Sequence, residues 1–212
     1  MAGKTGLCEV KENSRGNYNK AAAEIQYSRK KGTVMSKNLI VYYSRKGQNY
    51  WNGSIKNLAK GNTEIIAEMI QQTAGGDLFE VDTAKKYPED YYACIEEAKQ
   101  ELRAQARPEL KGYVENLTDY DTIFLGYPNW WGTMPMVMCT FLEHHDFAGK
   151  TVVPFCTNEG SGMGSSEKDV RKLCQGATVL SGLAIHGAEA AQAKEKVEAW
   201  LKNSVFPGRF IG

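Results

Sequence analysis

Residues Leu39-Ile40-Val41-Tyr42-Tyr43-Ser44 form a short apolar run that ends on a hydroxyl. With no charged side chain among its first five positions, the run predicts a strand buried on both faces, as in a parallel sheet. Immediately downstream, Ile65, Ile66, Met69 and Ile70 recur at helical spacing. Strand-like segments then fall at 77–82, 122–126, 151–156 and 178–180, and helical patterns at 89–106, 135–145, 166–175 and 188–203. Strict alternation predicts an α/β protein. Its core is a doubly wound, five-stranded parallel sheet with helices on both faces.

Composition narrows the function. The 212 residues include 26 Lys+Arg and 25 Asp+Glu, a net charge of +1. That balance argues against a dedicated nucleic-acid binder. A chain that is 42 % hydrophobic and 10 % aromatic does not stay disordered as a whole. The charge is unevenly spread. Residues 1–34 carry seven basic and three acidic residues, a net +4, with no apolar period. The remaining 19 basic and 22 acidic residues give residues 35–212 a net −3. Met35 followed by Ser36-Lys37-Asn38 reads as the start of the compact domain. Residues 1–34 are therefore expected to be an extension, disordered or non-native in origin; a genuine N-terminal arm is the alternative.

Five cysteines, an odd number at wide spacings without a C-x-x-C pair, predict no disulfide framework and no zinc site. They suit reduced thiols in the cytoplasm. Residues 122–142 hold no charge and are long enough to span a membrane, but they include two prolines, two glycines and Trp130-Trp131. A strand, a loop and the start of a helix explain them better than a membrane span.

In a doubly wound sheet, ligands bind beyond the carboxyl ends of the strands where the strand order switches. Ser44-Arg45-Lys46-Gly47-Gln48-Asn49 follow the first strand, and Gly61-Asn62-Thr63 open a helix. Hydroxyls, amides and N–H groups at a helix start suit a phosphate. Simple N-capping by Asn62 or Thr63 is the competing reading. Neither a Walker loop nor a dinucleotide fingerprint is present. Tyr127-Pro128-Asn129-Trp130-Trp131-Gly132-Thr133 follow the third strand and suit a flat aromatic ligand. The glycine-rich residues 157–164 follow the fourth, either offering backbone groups to a ring edge or forming an ordinary flexible loop. Adjacent His144 and His145 diverge on a helix and are not expected to chelate a metal, and no catalytic triad is visible.

The order Leu39-Ile40-Val41-Tyr42-Tyr43-Ser44, Gly61-Asn62-Thr63, Gly126-Tyr127-Pro128-Asn129-Trp130-Trp131-Gly132 resembles the flavodoxin-like family, which binds flavin mononucleotide (FMN). The likeness spans residues 37–203. It implies a sheet in the order 2-1-3-4-5, with FMN at the switch between the first and third strands. It assigns the phosphate to Ser44, Lys46, Gln48, Asn49, Asn62 and Thr63. The isoalloxazine would lie along Pro128, Asn129, Trp130, Trp131 and Gly132, with Trp130 stacking. Asn158, Glu159, Gly160, Ser161 and Gly162 would hold the opposite ring edge. The implied function is electron transfer, with redox partner proteins or a small quinone-type acceptor. An FMN-dependent NAD(P)H:quinone or nitro-compound reductase is the enzymatic alternative, and a flavin-free scaffold the non-catalytic one. Two features depart from the family pattern. Residues 50–60 are inserted ahead of Gly61, and a charge of −3 steers basic partners only weakly.

Overall fold

The fold is built around β1 (Asn38–Tyr42), whose five residues are all buried. In the computed structural model, which describes residues 37–208, β1 is flanked in parallel by β4 (Asp77–Glu80) and β5 (Thr122–Pro128). Residues 1–34, expected to be an extension, lie outside the described residues. The sheet continues through β6 (Thr151–Asn158) to β7 (Thr178–Val179), again in parallel. The order β4-β1-β5-β6-β7 is 2-1-3-4-5 when the strands of this sheet alone are counted.

One detail differs from the expected five strands. The last position holds two short pieces. β7 pairs with Thr151 and Val152, and β8 (Leu183–His186) pairs with residues 155–158 of the same neighbour. The break falls at Leu180-Ser181-Gly182, where the Gly182 N–H turns away to donate to Glu167 Oε1 at 2.5 Å. The second piece carries the chain to His186 and Gly187, beside the end of β6.

The inserted residues fold as a β-hairpin, β2 (Gly47–Trp51) and β3 (Ser54–Leu58), in a sheet of their own. Its two-residue turn, Asn52-Gly53, has φ of 45° and 88°. Positive φ at both positions suits the right-handed twist of a tight hairpin, and Asn-Gly is the pair that tolerates it best.

Helices cover both faces: α1 (Asn62–Ala74), α2 (Tyr91–Ala104), α3 (Met136–His144), α4 (Ser166–Leu173) and α5 (Lys194–Trp200). The two-residue period of β1 divides the core. Leu39 and Val41 pack with Val137, Phe141 and Leu142 of α3 and Val170 of α4. Ile40 and Tyr42 pack with Ile66 and Ile70 of α1 and Val197 and Trp200 of α5. Residues 122–142 divide into β5, a loop and most of α3, and no helix among the described residues is long and apolar enough to cross a membrane. Cys94, Cys139, Cys156 and Cys174 are buried and free. Burial pushes the first two thiols up to about 11 and the last two to about 12, so all four stay protonated and unreactive at neutral pH.

The two adjacent histidines end in different environments. His144 is exposed and stacks on Tyr113 at 3.8 Å, while His145 is partly buried against Phe141 at 4.6 Å. Burial, and secondarily His144, pulls the His145 imidazole down to about 4. Its unfolded value is about 6.5. Between these values the unfolded chain binds the extra proton, so the contribution is complete above pH 6.5 and is lost as pH falls toward 4. Allowing for partial exposure, the expected loss is about 1–2 kcal/mol. Urea unfolding at pH 7 and pH 4.5 should show this loss in the parent chain and little of it in His145→Gln. Parallel losses in both proteins would refute the assignment.

Candidate functional site

The carboxyl ends of β1, β5 and β6 open into a cleft of about 270 Å³. At one end lies the start of α1. Gly61 is the N-cap, and the hydroxyl of Ser44 accepts from the Glu64 N–H at 3.1 Å. The amide N–H groups of Asn62 and Thr63, one turn position earlier, meet no acceptor among the described residues. Neither of these side chains caps the helix. Thr63 Oγ1 instead shares a hydrogen bond of 2.8 Å with Thr157 Oγ1 across to β6. The competing N-cap reading is therefore not the one the structure shows. Asn62 and Thr63 both line the cleft, and their first-turn amides and positive helix end suit an anion.

At the other end, the loop after β5 presents both tryptophans. Trp130 makes T-shaped contacts with Tyr43 (5.4 Å, 80°) and Tyr87 (5.2 Å, 86°), at the margin of the core. Trp131 sits at φ 55° and is 48 % exposed, yet its Nε1–H donates to Ile95 O of α2 at 2.8 Å. Asn129 ties this loop to the next: its Nδ2 donates to Gly162 O (2.8 Å) and its Oδ1 accepts from Gly132 N (2.9 Å). A Cβ at Gly164 would run into Gly132 O, so the two loops touch backbone to backbone.

The loop after β6 is organised rather than slack. Asn158 donates to Ile185 O at 3.1 Å and accepts from the N–H groups of Gly160 and Gly162 at 2.9 and 3.0 Å. Asn158, Glu159 and Ser161 line the cleft, whereas Gly160 and Gly162 shape the loop behind it. Glu159 Oε2 accepts from Asn52 N at the hairpin tip (3.1 Å) and lies 3.7 Å from His186 Nε2. The other oxygen, Oε1, is buried without a hydrogen-bond partner, as is Asn62 Oδ1.

Among the residues expected from sequence, Asn49, Asn62, Thr63, Pro128, Asn129, Trp130, Trp131, Asn158, Glu159 and Ser161 share this one cleft. Ser44, Lys46 and Gln48 do not line it; they line a neighbouring hollow with Glu80, Asp82 and Lys111. The hairpin explains the separation. Gln48 Oε1 is spent accepting from Tyr91 N at 2.8 Å, and Lys46 pairs with Glu64 at 3.4 Å. Gly132 supports the wall without forming it. Sequence reasoning missed Tyr50, Tyr91, Ile95, Ala98 and Gly187, all on the cleft wall. Tyr50 and Tyr91 stack on each other (6.2 Å, 27°), one from the hairpin and one from α2. Among the described residues no cluster of three His, Cys, Asp or Glu side chains could hold a metal.

The residues present fit a flavin nucleotide. Unspent amides at a helix start match a terminal phosphate, the orphaned oxygens of Asn62 and Glu159 need hydroxyl or N–H donors, and the tryptophans line the cleft with aromatic surface. A doubly wound sheet with an aromatic-lined cleft at its strand switch defines a mononucleotide-binding α/β protein. The family model described as Flavodoxin matches residues 55–204. Crystal structures of two proteins assigned as flavoproteins are similar to the chain. The one from Bacteroides eggerthii shares 31 % identity over 78 % of this chain and 96 % of its own, at a TM-score of 0.64. That from Bacteroides uniformis shares 30 % identity over 78 % and 97 %, also at 0.64. A flavoprotein from Lactobacillus acidophilus, solved in complex with FMN, is 22 % identical over 74 % and 97 %, with a TM-score of 0.52, a likeness of fold. No curated protein matches the chain. The chain belongs to the flavodoxin family.

Proposed function

We propose that this chain binds FMN in the cleft and acts in electron transfer, in the cytoplasm. The observation that carries the reading is the arrangement along one cleft: acceptor-free amides of Asn62 and Thr63 at one end, Trp130 and Trp131 at the other. FMN, when bound, supplies one- and two-electron redox chemistry. The chain supplies the rest. The start of α1 anchors the anionic end, Asn62 Oδ1 and Glu159 Oε1 accept from the sugar-alcohol hydroxyls or ring N–H, and Trp130 excludes water from the ring. The FMN bound by the Lactobacillus acidophilus flavoprotein supports the choice of nucleotide. The buried, protonated thiols accord with a reducing compartment.

The reductase reading has one observation of its own. Tyr50, 42 % exposed, stacks with Tyr91 at the cleft lip and offers a surface for a flat quinone or nitroarene. Titrating the ligand-free protein with FMN should give a one-to-one visible complex with quenched flavin fluorescence. No binding at micromolar concentration would reject the proposal. NAD(P)H oxidation with a quinone, without an added reductase, then separates the two: a carrier stays silent and a reductase turns over.

A further inference from the structure

We infer that Arg45 is a cationic partner of the terminal phosphate monoester of the nucleotide, an inference that rests on the FMN reading. Among the described residues it is the only lysine or arginine on the cleft wall, where it stands with Asn49, Asn62 and Thr63. Its guanidinium is already aimed. Nε donates to Gln48 O at 2.9 Å and Nη2 to Glu89 O at 2.7 Å, two neutral carbonyls from the hairpin and from the residue before the N-cap of α2. A guanidinium carries five N–H groups, so these bonds orient it and leave others to spare.

Charge decides between Arg45 and its neighbour. Lys46 lies 3.4 Å from Glu64 and lines the other hollow but not the cleft, whereas Arg45 lines both. No carboxylate of the described residues lies within ion-pair distance of Arg45. A partly buried guanidinium without a counter-anion, lining the same cleft as helix-start amides without acceptors, is a site short of about one dianion. The insertion supplies the reason for a cation. Pairing of residues 47–51 with 54–58 commits the backbone of that segment to its own ladder, which draws amides away from the cleft. Planar, bidentate donation by one arginine replaces several such amides.

Ligand-free protein titrated with FMN and with riboflavin, which lacks the phosphate, tests this directly. In the parent chain FMN should bind much more tightly than riboflavin, and the FMN affinity should fall with added salt. Arg45→Met should weaken FMN at least tenfold, leave riboflavin within about twofold, and flatten the salt dependence. Arg45→Gln, which can keep one of the two carbonyl bonds, should do the same if Arg45→Met folds poorly. Equal weakening of both flavins would show that Arg45 only braces the hairpin against α2, and would overturn the inference while leaving the FMN reading intact. Unchanged affinity for FMN would overturn it equally. A parent chain that binds neither flavin overturns the FMN reading, and this inference with it.

Discussion

Replacing Trp130 with alanine should raise the dissociation constant for FMN on the order of a hundredfold and destabilise the fold by about 3 kcal/mol. Two roles meet in this one ring. It packs in T-shaped contacts against Tyr43 and Tyr87, and it also lines the cleft. Stacking on a nucleotide ring contributes about 1–3 kcal/mol by truncation, and 1.4 kcal/mol is a factor of ten. Loss of a positioned wall also lets water reach the flavin. Trp131 provides the internal comparison. At 48 % exposure and held chiefly through its Nε1–H to Ile95 O, its removal should cost under about 1 kcal/mol of stability and about tenfold in FMN affinity. Trp130→Phe should recover much of the stability and only part of the affinity. Denaturant titrations and fluorescence-quenching isotherms, run well below each unfolding midpoint, measure both quantities. Parent-like FMN binding by Trp130→Ala would remove this ring from the site.

The sequence made the sheet legible where burial was total. Leu39 through Tyr42 and Ile123 through Leu125 are apolar at every position because helices cover both faces, and such runs have no other comfortable home. Residues 183–186 escaped because Leu-Ala-Ile-His is short and follows Ser181-Gly182, which reads as a turn; only pairing with residues 155–158 makes it a strand. The hairpin escaped for a different reason. Gly47–Trp51 and Ser54–Leu58 are half-buried and polar, so no period stands out, and the Asn52-Gly53 turn signal was read as part of an insertion. The site was legible at the start of α1 and where it follows strands β5 and β6; of the four residues expected after β1, only Asn49 reaches the cleft. Tyr91, Ile95 and Ala98 were not legible, since a helix about forty residues distant from the hairpin reaches the cleft through tertiary contacts that no local pattern announces: Arg45–Glu89, Gln48–Tyr91, Tyr50–Tyr91 and Trp131–Ile95.

Gly61→Ala should be far more damaging than its place at a loop end suggests, costing about 2–4 kcal/mol and weakening FMN in step. At φ −73° the backbone there accepts any residue, so conformational freedom is not the issue. Space is. A Cβ would run into Ser44 Oγ and come within 2.6 Å of Arg45 O, and a main-chain carbonyl at a strand exit cannot swing away. That contact closes the inserted hairpin at its base: Ser44 and Arg45 leave the sheet where Gly61 returns to it. Forcing the two apart moves Asn62 and Thr63, whose amides meet no acceptor among the described residues, and loosens the Ser44 bond to Glu64 N. Gly53→Ala separates sterics from backbone strain. Its φ is 88° with nothing within 4 Å of a new Cβ, so it should cost only about 1 kcal/mol and leave FMN binding unchanged. Urea midpoints for both variants decide the matter. If Gly61→Ala proves as mild as Gly53→Ala, the base of the hairpin is not closed against Ser44 and Arg45, and the position of the Asn62 and Thr63 amides must be held by something else.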